Sequence, residues 1–286
     1  MTILIVADLH GRWLLALKLA TRLQKERNLQ LDLILQCGDM GIYPDPARFD
    51  KATLRHARHD ETELGFSRYF AKPNDEVKHL WEQLSCECIA VRGNHEDHEF
   101  LNQLEKQSTQ TRFPVDYYQR IQVCKTGHLQ TFAKDNQTLT VAGIGRMGYR
   151  GNKRPGENQR FIQPYERDRL TALRQHTRHV DILLSHDCPL HQFDKDFGMP
   201  EIRGFLDYHK PFYHFFGHTG HPYQAVTDEN RLTTSVKVAE MEWQPGGTLP
   251  HGSLVLLHWH DSFDHKLEVV NDSWIKEYTF ESWKYL

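Results

Sequence analysis

Residues 2–11 read TILIVADLHG. From Thr2 to Ala7 the run is apolar or β-branched without a polar break, which is the pattern of a strand buried on both faces inside a sheet. It ends abruptly at Asp8 and His10. In open α/β sheets ligands gather outside the carboxyl ends of strands. Two metal-competent side chains at such an end therefore make it a candidate site. Asp8 and His10 are two residues apart, so on a continuing strand they would point the same way.

The same design repeats downstream. After a helical stretch, GRWLLALKLATRLQKERN (residues 11–28), in which Leu14, Leu15, Leu19 and Leu23 share a side, a second buried strand runs LDLILQCGD (31–39). It offers Asp39, preceded by Gly38, which permits close backbone approach. A third strand, CECIAVRGNHE (86–96), presents Asn94, His95 and Glu96. VDILLSHDCP (180–189) presents His186, and FYHFFGHTGHP (212–222) presents His218 and His221. Each motif alone has a plain explanation, such as a turn, a helix cap or a buried histidine. Five apolar runs ending in such residues in order point instead to one converging cluster of oxygen and nitrogen ligands. With no cysteine at the tips, that donor set suits manganese, iron or zinc in a working site rather than structural zinc.

Between these strands, residues 44–84 are polar and helix-prone, punctuated by Pro44, Pro46 and Pro73, and are expected to form a helical insertion over the sheet. RIQVCKTG (120–127) and LTVAGIG (139–145) have little helix between them and are expected to pair antiparallel. PYERDRLTALRQHTR (164–178) is expected to be a helix with Pro164 in its first turn. RLTTSVKV, SLVLLHWH and KLEVV close the chain as strands, and the aromatic end WIKEYTFESWKYL is expected to pack as a tail or a dimer contact. Alternating β and α, then consecutive strands, imply an α/β fold of packed sheets with helices outside, in one domain over residues 1–286.

Bulk properties narrow the function. The 286 residues carry 35 Lys and Arg against 38 Asp and Glu, a formal charge of −3, so no broad nucleic-acid footprint is expected. Five cysteines without a CxxC pair read as reduced thiols of a cytoplasmic protein. The N-terminal run is too short and too acidic for a signal peptide, and no segment has the length of a membrane span. One local basic stretch, GRMGYRGNKRPGENQR (145–160), groups Arg146, Arg150, Lys153, Arg154 and Arg160. It reads either as a mobile solvated loop or as a phosphate- or nucleic-acid-binding surface, with Tyr149 and Phe161 available to stack on bases.

Taken in order, D-x-H, G-D, G-N-H-E, H and G-H resemble the calcineurin-like metallophosphoesterase superfamily. The resemblance implies two packed mixed β-sheets flanked by helices, an α/β/β/α sandwich, with two divalent metals at one edge, manganese first among the candidates. It implies that Asp8 and His10 bind the first metal, that Asp39 bridges both, and that Asn94, His186 and His218 complete the second. His95 would assist the leaving group, and Glu96 would either orient His95 or start a helix. Many members read G-H-x-H in the last motif; here that position is Gly220, with His221 one residue later. Either a bulge brings His221 to the metal, or the first metal has three protein ligands. Gly220 and Pro222 make the stretch a turn and favour three, leaving His221 for substrate. Arg92, Arg146 and Arg150 are candidate phosphate contacts, although Arg92 also reads as a structural ion pair. CGDMG, GNHE, VAGIGRMGY and LSHDCP are in addition similar to RNA lariat debranching enzymes, which carry a cysteine at the position of Asp8. The implied activity is hydrolysis of a phosphate monoester or diester on a phosphorylated small molecule or a nucleic acid, with no obligate protein partner. A non-catalytic metal-binding scaffold is the alternative of a different class.

Overall fold

The computed structural model describes residues 1–149, 158–177, 179–193 and 195–286. Its strands in chain order are β1 (Thr2–Val6), β2 (Leu33–Gln36), β3 (Glu87–Ala90), β4 (Arg112–Pro114), β5 (Ile121–Cys124), β6 (Leu129–Lys134), β7 (Gln137–Ile144), β8 (Ile182–Ser185), β9 (Tyr213–Phe216), β10 (Gln224–Thr227), β11 (Thr234–Lys237), β12 (Val255–Trp259) and β13 (His265–Val269). The helices are α1 (Trp13–Arg27), α2 (Lys51–His56), α3 (Asp75–Gln83), α4 (His98–Gln107), α5 (Pro164–His176) and α6 (Pro200–His209).

These strands form a seven-stranded sheet ordered β13-β12-β1-β2-β3-β5-β4 and a six-stranded sheet ordered β10-β11-β9-β8-β7-β6. Both are mixed: β1, β2, β3 and β5 run parallel, as do β7, β8, β9 and β11, and the remaining pairings are antiparallel. Alternation along each strand sets the layers. Ile3 and Ile5 of β1 join Leu33, Leu35, Val141, Leu184 and Phe215 in the core between the sheets. Leu4 and Val6 face the other way, onto α1 and α3. On the far side, Ala142, Ile144 and Leu183 meet Ile202, Phe205 and Leu206 of α6. The layering is α/β/β/α, as two packed mixed sheets flanked by helices require.

Two local expectations change. Residues 121–124 and 139–144 do not pair with each other. β5 lies parallel to β3 in one sheet, while β7 lies between β6 and β8 in the other. The hairpin partner of β7 is residues 129–134, whose exposed polar positions hide their strand character. Helix α1 is not one-sided: every residue from Trp13 to Ala20 is buried. The C-terminal tail covers its outer side, with Trp274, Tyr278 and Trp283 in the same core, and Lys18 Nζ donates to the carbonyls of Lys284 and Leu286. Residues 44–84 hold α2, α3 and three short helical turns. Val77, Leu80 and Trp81 of α3 are buried with α1, while α2 reaches the strand ends. All five cysteines are buried free thiols. Among the described residues no helix is long and apolar enough to cross a membrane.

Candidate metal centre

The loops leaving β1, β2, β3 and β9 line a cavity of about 220 Å³ at one edge of the paired sheets, and the β8 loop brings His186 against Asp39 beneath it. Asp8 and His10 both project into it, but not through strand alternation. The chain leaves strand geometry after Val6, and Asp8 (φ 49°), His10 (φ 43°), Asp39 (φ 50°) and His218 (φ 63°) all take left-handed backbone conformations. Asp and His tolerate this region better than most residues, and its recurrence at four candidate ligands marks a built turn cluster. The two loops are laced together: Asp8 N–H donates to Gly38 O (3.2 Å), His10 N–H to Asp39 O (2.9 Å) and Gly11 N–H to Met40 O (3.0 Å).

Asp39 lies at the centre. Its Oδ1 accepts from the backbone N–H of Asn94 (2.6 Å) and of His95 (2.8 Å), which fixes the β3 loop against the β2 loop. Its carboxylate also faces His186 Nε2 at 3.3 Å and His10 Nε2 at 3.8 Å. Asp8 lies 3.8 Å from His186 Nδ1 and accepts the His218 N–H at 3.0 Å. Two sets of side chains bring their ligand atoms within 4.8 Å of one another: Asp8, His10 and Asp39, and Asp39, His186 and His218. Asp39 is common to both.

The donor set fits cations. The His186 ring donates from Nδ1 to Cys37 O (3.0 Å), so in the tautomer that ligates a metal its Nε2 carries the lone pair. That lone pair faces Asn94 Oδ1 at 2.9 Å and Asp39 Oδ1 at 3.3 Å. In that tautomer three acceptors converge without a proton between them, an arrangement a divalent cation would satisfy. Electrostatics agree. Burial alone would raise the Asp39 carboxyl, yet His186, His10, His95 and His218 together hold it below the usual carboxylate range. Burial pushes His10 down to about 3, leaving it a neutral ligand. Asp8 is pushed well up by burial, against the pull of Lys237; a bound cation would restore its charge.

His95 belongs to neither set. Its ring lies 5.5 Å from that of His10, lines the cavity, and its Nδ1 is 2.9 Å from Asp50 Oδ2. Burial disfavours the imidazolium, but the Asp50 hydrogen bond and the charges of Asp39 and Asp50 lift it to about 9. Asp50 is a residue that sequence reasoning missed. It caps α2 by accepting Thr53 N–H (2.7 Å) and takes a further bond from Arg160 (2.9 Å). The only signal for it was a helix-capping Asp in the polar insertion, which says nothing about a histidine 45 residues on.

Several expectations need correction. Glu96 neither orients His95 nor caps α4. Its carboxylate accepts the N–H groups of Met40 (2.8 Å), Ile42 (2.9 Å) and Gly93 (3.1 Å), tying two loops together, and Asp97 caps α4. Of the two readings of Arg92 the structural one matches its surroundings: it is buried in an ion pair with Glu105 (2.5 Å) and bonded to Asn102. Arg146 is likewise fully buried, paired with Glu166 (3.0 Å) and bonded to Gln159 O. Neither lines the cavity. Arg150, Lys153 and Arg154 lie outside the described residues. His221 stacks on Phe193 at 4.2 Å and stands outside both ligand sets.

Comparison with solved structures gives the crystal structure of TT1561 of Thermus thermophilus, at a TM-score of 0.52 and 15% identity, over 94% of this chain and 99% of that one. The calcineurin-like phosphoesterase YfkN from Bacillus subtilis follows at a TM-score of 0.42 and 12% identity, over 94% and 90% of the two chains. Vps29 from Entamoeba histolytica, complexed with Zn, scores 0.33 at 12% identity, over 94% and 98%. No curated protein matches. The first of these likenesses supports the fold, and the other two are too loose to bear on chemistry. The sequence model of calcineurin-like phosphoesterases matches residues 1–222, from β1 through the G-H turn after β9. The chain therefore belongs to the calcineurin-like phosphoesterase family, whose members are in general metal-dependent phosphoester hydrolases.

Proposed function

We propose that this chain hydrolyses a phosphate ester at a centre for two divalent cations, manganese first among manganese, iron and zinc. Asp8, His10 and Asp39 would hold one cation, and Asp39, Asn94, His186 and His218 the other. The observation that carries the reading is the sharing of Asp39 between two ligand sets, with a histidine of high proton affinity beside them. When bound, the cations lower the pKa of water, so that hydroxide is present near neutral pH, and offset charge on the phosphoryl oxygens.

The protein's own part is positioning and proton supply. Asp39, held by two backbone N–H groups, fixes the spacing of the two sets. Asp50 engages His95 Nδ1, which leaves Nε2 to the cavity and keeps a proton on the ring. That proton is available to the oxygen of the departing alcohol. Metal binding alone does not call for such a histidine, and this weighs against a scaffold. The nuclease alternative loses Arg146 as a strand contact, since its guanidinium is buried.

The test is turnover of a chromogenic phosphomonoester and a phosphodiester by the manganese-loaded protein. Hydrolysis of either supports the reading, as does a loss of about 100-fold or more in His95→Ala on an alkyl phosphate ester with metal content unchanged. Failure on both substrates, with two manganese ions bound, would establish the scaffold instead.

A further inference from the structure

The first ligand set has three protein members, Asp8, His10 and Asp39, whereas cations of this kind take four to six ligands. His221 is turned onto Phe193, and Gly220 has no side chain to offer. We infer that Glu240 is a fourth protein ligand on the Asp8–His10 side of the centre. This inference rests on the two-cation reading above.

Backbone geometry brings Glu240 to the right place. It pairs with Ala7 in a parallel bridge beyond the end of β1, and the next residue, Met241, donates its N–H to Ala7 O (3.3 Å). Glu240 thus sits beside the residue that precedes Asp8. Its side chain lines the same cavity as Asp8, His10 and Asp39. Glu240 Oε1 accepts the N–H of Gly220 at 3.1 Å. Gly220 itself has φ +67° and open space where a Cβ would stand. Oε2 has no hydrogen-bond partner among the described residues, and a carboxylate oxygen suits manganese, iron or zinc. Glu240 lies outside the side chains gathered within 4.8 Å. The inference requires the partly exposed Glu240 side chain to turn inward when the cation binds.

A tether for the turn is the competing role, and one substitution separates the two. Glu240→Gln keeps an oxygen for the Gly220 N–H but removes the charge. Glu242→Gln removes an equal charge from the same cavity. Manganese is counted by elemental analysis and titrated calorimetrically into the full metal-free chain, with the melting temperature of each metal-free variant as the folding control. The expected result is two manganese ions for the unsubstituted chain and for Glu242→Gln. Glu240→Gln should hold one site unchanged and the other weakened about tenfold or more, with its metal-free melting temperature unmoved. Two sites of unchanged affinity in Glu240→Gln would overturn the inference and leave the proposed function standing. Equal weakening by Glu242→Gln would also overturn it, because charge alone would then explain the effect. An unsubstituted chain that binds fewer than two ions would overturn the two-cation reading itself.

Discussion

His95 and Asp50 form a half-buried pair, Nδ1 to Oδ2 at 2.9 Å, between a strand-end loop and the helical segment laid across it. The segment thus helps to line the cavity: α2 carries Ala52, Thr53 and His56 into it as well. If Asp50 keeps His95 oriented and protonated, its loss should matter most where the departing alcohol needs a proton. Asp50→Ala is expected to lower kcat about tenfold or more on an alkyl phosphate ester. It should have little effect on a nitrophenyl ester, whose leaving group departs unaided, and KM and metal content should stay unchanged. A loss of equal size on both esters, measured by steady-state kinetics, would make Asp50 merely structural.

Sharing of Asp39 gives a different signature. Asp39→Asn should lose tight binding at both sites, because one carboxylate serves both ligand sets, whereas His10→Ala should lose one. Asparagine still offers an oxygen to the N–H groups of Asn94 and His95, so the loop stays in place and the metal count reports coordination. Elemental analysis after dialysis decides it. One tightly held ion in Asp39→Asn would mean that the two sets do not share this residue.

Much of this was legible in the sequence because the strands are short and apolar and stop where polarity begins. The unbroken run before Asp8 announces a strand covered on both sides, and Ile3 and Leu4 duly enter different cores. The candidate ligands could be read off because each follows its strand within a few residues. Pairings that depend on tertiary approach were not legible. Nothing near Asp50 names His95, and nothing near Glu240 names Ala7. Charge also misled. Arg92 and Arg146 read as phosphate contacts because a sequence shows a guanidinium but not its partners, and Glu105 and Glu166 had already claimed them. The left-handed turns at Asp8 and His10 were invisible as well, so the sequence joined these two candidates by strand alternation that the chain does not use.

Gly93 shows how tightly the centre is packed. A Cβ there would run into Asp39 N and Oδ1, so Gly93→Ala must push the β2 loop away from the β3 loop. The expected cost is about 2 kcal/mol or more, with loss of metal. Gly204 in the middle of α6 has nothing within 4 Å of its Cβ position. Gly204→Ala should stabilise the chain by about 0.5–1 kcal/mol, because alanine loses less backbone freedom on entering a helix. Urea unfolding of the two variants tests the contrast. A Gly93→Ala protein of wild-type stability and metal content would mean that the loops are not in contact as described.

A buried histidine away from the metal ligands sets the acid side of stability. His214 on β9 lies between Ser185 Oγ (2.7 Å from Nε2) and Ser235 Oγ (2.9 Å from Nδ1). Ser185 donates its proton to Asp187 O (2.8 Å), so it must accept from Nε2–H, and Ser235 donates to Nδ1. That network holds only the neutral ring. Burial pushes His214 down to about 3, with Asp228 raising it slightly and Arg203 lowering it. Below pH 6.5 the unfolded chain therefore takes up a proton that the folded chain refuses. The stabilising contribution is complete above pH 6.5 and falls by up to about 1.4 kcal/mol per pH unit below it, down towards pH 3. Burial lowers His10, His98 and His128 as well, so the informative quantity is a difference between proteins. His214→Gln should be less stable than the unsubstituted chain at pH 7, yet lose about 2 kcal/mol less between pH 6.5 and 5. Urea midpoints measured across that range should converge as the pH falls. Parallel curves would mean that His214 carries its proton in the folded state, and that the Ser185–His214–Ser235 network is wired the other way.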